Sequence, residues 1–401
     1  MLDTLPSEVL DVIVQYSTKH TPSCLSTVSR GTYSISVRTL YASIPELGIV
    51  CMTQCLRTLS RNRKLAHLVQ SFSFRLPPHS NILLAFFILL SRALSNMNNL
   101  HALSLEVGIP MPLNFANQAS YQLENLSCVI LPGGSYPISQ LLSSQPTIKE
   151  LYIICPTGDV STLGRETLPA LKSLSTPNRL LPILLPYRLS RLSRLCIIKV
   201  MASPTEVLTL SASLAQTNPP ESLELCLRVN FGRATPNALE YLGQAVQYIT
   251  SLRLDTYGGP IGQEDLRVMF APNPSSFPKL KTLTITSQLP TRPAYNRSIQ
   301  THMAHGFQAP TSQRPSHIPG VPAFLCDVMT FFTENLAGVY DPQDASFQTQ
   351  SHAQSTALDA LHDSSCHPDI IRAWHQAHPS LERVVFPTAV YVLKEMDGNT
   401  R

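Results

Sequence analysis

Charged residues are scarce in this 401-residue sequence. Lys, Arg, Asp and Glu account for 14% of it, against about 25% in a typical globular domain, while hydrophobic residues account for 43%. The formal net charge is only +4, and the densest basic cluster has no interleaved aromatic residues. Its members are Arg57, Arg61, Arg63 and Lys64. The composition therefore predicts segments buried on more than one side and no nucleic-acid partner.

Long hydrophobic runs are also missing. The longest, residues 82–90, has nine residues and falls far short of the ~20 that span a bilayer. Asp3 and Glu8 stand where a signal peptide would need a basic start and an apolar run. The nine cysteines are irregularly spaced and form no Cys-x-x-Cys motif. We therefore expect a reduced, intracellular protein without a membrane partner, whose cysteines act as small core hydrophobes.

Catalytic motifs are absent as well. The sequence has no Gly-x-Ser-x-Gly elbow, no glycine-rich phosphate loop and no His-Glu-x-x-His. The histidine-rich C-terminal part lacks the spacing of four converging zinc ligands. Its candidate ligands are His302, His305, Cys366, His367, His375 and His378. We predict no catalytic residue, no metal and no cofactor. The enzymatic alternative is a hydrolase whose catalytic histidines are distant in the sequence and close in the folded chain.

What the sequence does have is a recurring phrase, apolar-x-x-apolar-x-apolar. Its fourth positions are separated by steps of 21–31 residues up to Leu283, and then by one step of 101. Such a period is typical of leucine-rich repeats, each a strand followed by a helix or loop. The alternative is an ordinary α/β domain with leucine-rich strands. The fourth positions are Phe72, Leu103, Leu126, Leu151, Leu174, Leu195, Leu225, Leu252, Leu283 and Val384.

The strand period of two indicates which side chains remain available to a partner. The apolar fourth and sixth positions of each phrase point inward, so the positions beside them face the concave side of the repeats. Extended concave surfaces of repeat proteins bind partners, and arginine and tyrosine are frequent anchors. We expect an unidentified protein to bind there. The predicted contacts are Arg75, Glu106, Tyr152, Arg194, Arg228, Arg253 and Asp255, with Glu150, Cys196, Glu224, Cys226, Thr282, Thr284 and Thr286 beside them.

The first 45 residues predict three short amphipathic helices. Pro6 and Glu8 suit a first helical turn, and Thr21-Pro22 suits a second helix start. Leu25 and Val28 would form the inner face of the second helix. A unit this small needs a partner or a neighbouring domain for stability. The apolar positions of the first and third helices are Val9, Leu10, Ile13, Val14, Val37, Leu40, Tyr41 and Ile44.

This segment resembles an F-box. The resemblance is carried by Leu5-Pro6-x-Glu8-Val9-Leu10, Leu25-Ser26-Thr27-Val28-Ser29-Arg30 and Arg38-Thr39-Leu40-Tyr41, with Tyr33 near the place where many members have tryptophan. With the repeats, the chain resembles fungal-type F-box proteins with C-terminal leucine-rich repeats. The alternative for the segment is a plain helical cap. The resemblance implies a Skp1-like adaptor of a cullin ubiquitin ligase as partner, contacted by Leu5, Pro6, Val9, Leu10, Ile13 and Leu25.

The predicted class is α/β, a three-helix F-box-like motif followed by an irregular leucine-rich-repeat solenoid, which is a curved parallel sheet with outer helices. The implied function is substrate recognition for ubiquitin ligation, and the alternative is an interaction scaffold with no ligase role. Residues 287–320 are rich in Pro, Gln, His and Ser and contain no acidic residue. The predicted divisions are 1–45 (motif), 46–68 (helical linker), 69–286 (solenoid), 287–365 (insertion with a loop and a helix) and 366–401 (terminal repeat and cap).

Overall fold

The computed structural model describes most of the chain outside one long internal segment. Its contacts divide the chain into Met1–Leu289 with Leu358–Arg401, and Pro290–Ala357. The second unit, and with it most of the predicted insertion, lies outside the described residues. The described residues are 6–17, 20–76, 84–108, 121–130, 138–201, 203–215, 218–230, 235–257, 260–270, 276–287 and 359–393.

One sheet of 12 strands runs through the described residues, and its strands pair in chain order. Each strand is parallel to the next except the last pair, which is antiparallel. The sheet and its helices confirm the α/β class. The strands are β1 (Ser43–Ile44), β2 (Ser71–Leu76), β3 (Ala102–Val107), β4 (Asn125–Ile130), β5 (Glu150–Ile154), β6 (Ser173–Thr176), β7 (Arg194–Met201), β8 (Leu223–Asn230), β9 (Ile249–Tyr257), β10 (Thr282–Ser287), β11 (Arg383–Val385) and β12 (Val390–Val392).

Helices precede the sheet and connect its strands. Those after the first three carry one apolar face, which packs on the buried side of the sheet. Within the described residues they are α1 (Ser7–Tyr16), α2 (His20–Leu25), α3 (Arg30–Ala42), α4 (Ile49–Arg61), α5 (Arg63–Ala66), α6 (Leu84–Asn96), α7 (Ile138–Ser143), α8 (Leu181–Leu184), α9 (Pro204–Leu214), α10 (Thr235–Ala245), α11 (Gln263–Val268) and α12 (His367–Ala377).

Each of the ten apolar phrases lies on a strand. In β2, Phe72, Phe74 and Leu76 are buried and the residues between them are partly exposed. The register places Phe72 beside Leu103 on β3, and the same in-register pairing continues through the next strands. Side chains alternate between the two faces of a strand, so the apolar positions of all the strands form one continuous core. Two strands, β1 and β12, carry no such phrase.

Strands β11 and β12 follow the long segment that lies outside the described residues, and they pair at the end of the sheet. Thr282 and Leu283 of β10 pair in parallel with Arg383 and Val384 of β11. Helix α12 precedes β11, and its Trp374 is fully buried and donates a hydrogen bond to the Arg267 carbonyl at 3.0 Å. The C-terminal residues are therefore held to the end of the sheet by both backbone pairing and side-chain packing.

Helices α1 to α3 have a small core of their own. Leu10 and Val14 of α1 pack with Ile35 of α3, and Leu25 packs against them half-buried. The prediction that Val28 belongs to this inner face is wrong. Helix α2 ends at Leu25, and the Val28 side chain in the following turn is 58% exposed. The turn redirects the chain before α3, so the helical spacing from Leu25 to Val28 no longer applies.

Candidate binding surfaces

Helix α1 has two apolar faces, and these have different surroundings. At its start the amides of Val9 and Leu10 donate to the Pro6 carbonyl at 3.1 Å. Leu10 and Val14 point into the small core, where they are nearly inaccessible. The second apolar face is exposed, which is unusual for a helix on the surface of a small unit.

We call this second face the α1 apolar stripe, formed by Val9, Val12, Ile13 and Tyr16. Their spacing of i, i+3, i+4 and i+7 places them on one side of the helix. Their exposed fractions are 43%, 53%, 44% and 88%. Four neighbouring apolar side chains left accessible on one helix make up a surface of the kind that marks an interaction site.

Polar contacts hold α1 to α3 and so fix the direction in which the stripe faces. Arg38 of α3 forms an ion pair with Asp11 of α1 at 2.8 Å. Ser29 and Thr32 form a capping box at the start of α3, and the Thr32 hydroxyl donates to the Leu25 carbonyl at 2.9 Å. The capping box supplies partners for backbone amides that the helix cannot pair itself.

The six predicted adaptor contacts have different environments. Leu5 lies outside the described residues, and Pro6 is exposed at the start of α1. Val9 and Ile13 belong to the α1 apolar stripe, whereas Leu10 is buried and Leu25 half-buried in the small core. Val12 and Tyr16 were not among the predicted contacts, although their helical spacing from Val9 and Ile13 identifies them as members of the same face.

The second surface is the side of the sheet opposite the apolar core, which we call the polar sheet face. It consists of the residues that alternate with the core residues along β2 to β10, most of which are partly exposed. Strand register places one residue of each strand in a central row. The row reads Ser73, Ser104, Ser127, Tyr152, Ser175, Cys196, Cys226, Arg253 and Thr284.

Three serines of the central row, Ser104, Ser127 and Ser175, line a groove. Its volume is about 360 Å³. Small side chains leave open space above the strands, and Tyr152 and Arg194 also line it. Burial raises the pKa of the Tyr152 phenol to about 12, so this hydroxyl is protonated at neutral pH. These serines were not among the predicted contacts, which were charged and aromatic residues, although serine recurs at the fifth position of four phrases.

Charged side chains lie toward both ends of the polar sheet face. At the β2 end Arg75 contacts Glu46 at 3.5 Å and Glu106 at 3.3 Å. This ion-pair cluster links the segment after β1 to β3. Because these opposite charges largely compensate each other, this end of the face has no strong potential of one sign.

The other charged cluster spans β7 to β10. Arg194 contacts Glu224 across β7 and β8 at 3.6 Å. Arg253 contacts Asp255 at 2.9 Å, and Asp255 also accepts a hydrogen bond from Thr286 at 2.5 Å. The seven predicted partner contacts therefore share one face, with Tyr152 between the two clusters.

Comparisons with known proteins give no assignment for these surfaces. No protein-family model matches the chain, and no curated protein is found as a relative. In the part of the chain that the structure describes, no helix combines the length and hydrophobicity needed to cross a membrane. In that same part, no three His, Cys, Asp or Glu side chains converge as candidate metal ligands.

Proposed function

We propose that the protein is the substrate-recognition subunit of a Skp1-cullin-F-box ubiquitin ligase. In this proposal α1 to α3 form the F-box that binds the Skp1-like adaptor. The strands from β2 onward form a leucine-rich-repeat solenoid whose concave, polar sheet face binds a protein target. The observation that carries the proposal is the α1 apolar stripe.

The energetics of the stripe favour a stable partner. Burying a valine or isoleucine side chain is worth about 1.5–3 kcal/mol, and the stripe offers four large side chains. Among the residues that the structure describes, the core beneath it consists of Leu10, Val14 and Ile35 with Leu25 beside them. Such a core gives limited stability on its own, so a partner that covers the stripe would stabilise the helices as well as bind them.

The strand order supports the repeat assignment. In a leucine-rich-repeat array each unit contributes one strand beside that of the preceding unit, so strands are parallel and follow chain order. The pairing from β1 to β11 has this form. An ordinary doubly wound α/β sheet would instead change strand order near its middle.

The composition of the polar sheet face supports a protein target. Serine, threonine and tyrosine hydroxyls alternate with arginines and carboxylates, a mixture that suits polar recognition with a few anchors. Tyr152 and Arg194 are the anchors that we expect to contribute most, because both border the groove. The scaffold alternative uses the same face and differs only in lacking the adaptor.

Adaptor binding tests the proposal directly. The purified full-length chain is mixed with Skp1, and complex formation is measured by gel filtration and calorimetry. We expect the Val9→Asp/Ile13→Asp variant to lose at least about 100-fold in affinity for Skp1. The reason is that these two side chains, once the adaptor buries them, contribute at least ~3 kcal/mol to binding. The matched control is Ile88→Asp, which places the same charge on an isoleucine of α6 that is 55% exposed.

Two outcomes would contradict the proposal. If the unaltered chain does not bind Skp1, the ligase function is wrong and the scaffold alternative stands. If the chain binds but the stripe variant binds equally well, the α1 apolar stripe is not the contact. Circular dichroism of both variants shows whether a lost complex reflects lost contacts or lost folding.

A further inference from the structure

Two cysteines occupy neighbouring places in the central row of the polar sheet face. Cys196 on β7 and Cys226 on β8 are register partners on the same face of the sheet, and the Cys226 thiol donates to Glu224 Oε1 at 3.9 Å. Adjacent strands lie about 4.8 Å apart, which is within the ~4.4–6.8 Å between Cα atoms that a disulfide spans. We propose that Cys196 and Cys226 form a reversible thiol-modification site that takes low-molecular-weight disulfides and closes to an intramolecular disulfide.

The two thiols differ in access, which gives them different roles. Cys196 lines the groove and is partly exposed, whereas Cys226 is buried, with 4% exposure. A small disulfide entering the groove therefore meets Cys196 first. Cys226 is placed behind it, where it can reach the Cys196 sulfur but not a bulky reagent in solvent.

The surroundings of Cys196 favour its thiolate. The adjacent Cys226 thiol lowers the pKa of Cys196 to about 7, burial opposes this, and nearby Arg228 and Arg194 lower it further. The adjacent Cys196 thiol and burial raise the pKa of Cys226. Asp255 opposes the thiolate. At neutral pH Cys196 is thus the nucleophile and Cys226 the protonated partner.

The reaction is two thiol–disulfide exchanges. The Cys196 thiolate, whose proton has gone to solvent, attacks one sulfur of the small disulfide, and the S–S bond breaks to release a thiolate. The released thiolate takes up a proton from solvent. Cys226 then attacks the Cys196 sulfur, its proton passing to the second thiolate as that leaves. Two protein thiols are oxidised, and one small disulfide is reduced to two thiols.

Oxidised glutathione serves as the probe for the full-length chain. After incubation at pH 7 the protein is alkylated and digested, and the cysteine-containing peptides are mapped by mass spectrometry. We expect a cross-linked Cys196–Cys226 pair and loss of both free thiols. Cys128 and Cys155 are the internal controls, because both are buried and burial raises the pKa of each, that of Cys155 to about 12.

Single variants assign the order of the two steps. Cys226→Ser should retain glutathione on Cys196 because the second exchange is lost, and Cys196→Ser should leave Cys226 unmodified. The proposal is overturned if glutathione appears on exposed Cys24 and Cys51 while Cys196 and Cys226 stay reduced. It is equally overturned if Cys196 of the unaltered chain takes up glutathione but never cross-links to Cys226. The peptide map of the unaltered chain decides both points even if a variant does not fold.

Discussion

At the scale of single residues, Gly243 shows how packing can outweigh helix propensity. It is buried in α10, and the ring of Phe277 lies directly on its backbone. A Cβ at this position would be 2.7 Å from Cδ2 of Phe277 and 2.8 Å from Cε2. The ring cannot move away easily, because Phe277 is 1% exposed and also has a backbone φ of 53°.

We therefore expect Gly243→Ala to destabilise the protein by about 1–3 kcal/mol through overpacking, although alanine in an open helix position is worth about 0.5–1 kcal/mol over glycine. Urea unfolding followed by circular dichroism measures the difference. The matched control is Gly31→Ala in α3, where a Cβ would meet only Ser29 Oγ at 3.8 Å. A Gly243→Ala variant as stable as the unaltered chain would show that Phe277 moves freely.

At the scale of elements, Arg188 connects two loops that no strand pairing joins. It is buried, with 2% exposure, and burial lowers the pKa of its guanidinium. Its side chain donates to the carbonyls of Gly164, of Thr167 at 2.8 Å and of Leu184 at 3.2 Å. A planar guanidinium can serve several carbonyls at once, whereas an ammonium group presents a single point of donation.

Arg188→Lys should therefore leave buried carbonyls without donors and reduce the unfolding free energy by about 1–3 kcal/mol. Arg191→Lys, an exposed position on the same turn, should change it by less than about 0.5 kcal/mol. Chemical unfolding of both variants makes the comparison. Equal stabilities would mean that lysine or water replaces the lost hydrogen bonds.

The elements also show how far the sequence could be interpreted. Ten strands were predictable because buried apolar residues recur with a fixed local spacing, even where the phrase is weak, as at Leu174. Strands β1 and β12 were not predictable, because they are short and neither lies within an apolar phrase. The seven predicted partner contacts follow from strand alternation. The pairing of Cys196 with Cys226 could not be predicted in this way, because it depends on the register between two strands whose paired residues are 30 positions apart.

At the scale of the whole molecule, each described strand of the sheet pairs only with the strands that come before and after it in the chain. Each strand hydrogen-bonds to the strands beside it in the chain, so one end can unfold while the other remains folded. The C-terminal end contains two buried histidines, His367 and His378. His367 lies flat on Phe386 with ring centroids 3.9 Å apart, and His378 contacts the Phe270 carbonyl at 3.0 Å.

Acid should unfold this end first. Burial is the main cause that lowers the pKa of both histidines, and backbone hydrogen bonds partly oppose it. Below about pH 6.5, the value for an unperturbed histidine, the unfolded chain consequently binds more protons than the folded chain. Stability should fall by up to about 1.4 kcal/mol per pH unit for each histidine as pH decreases from 6.5 toward the folded-state pKa.

Trp374, the single tryptophan of the chain, makes this end separately observable because it is buried beside Phe270 with ring centroids 5.4 Å apart. At pH 7.5 we expect its fluorescence and the far-ultraviolet circular dichroism to report urea midpoints closer together than at pH 5.5, where the fluorescence transition should come first. The His367→Gln/His378→Gln variant should lose most of this pH dependence, whatever its absolute stability. If its midpoints shift with pH as much as those of the unaltered chain, the two histidines are not responsible for the acid sensitivity.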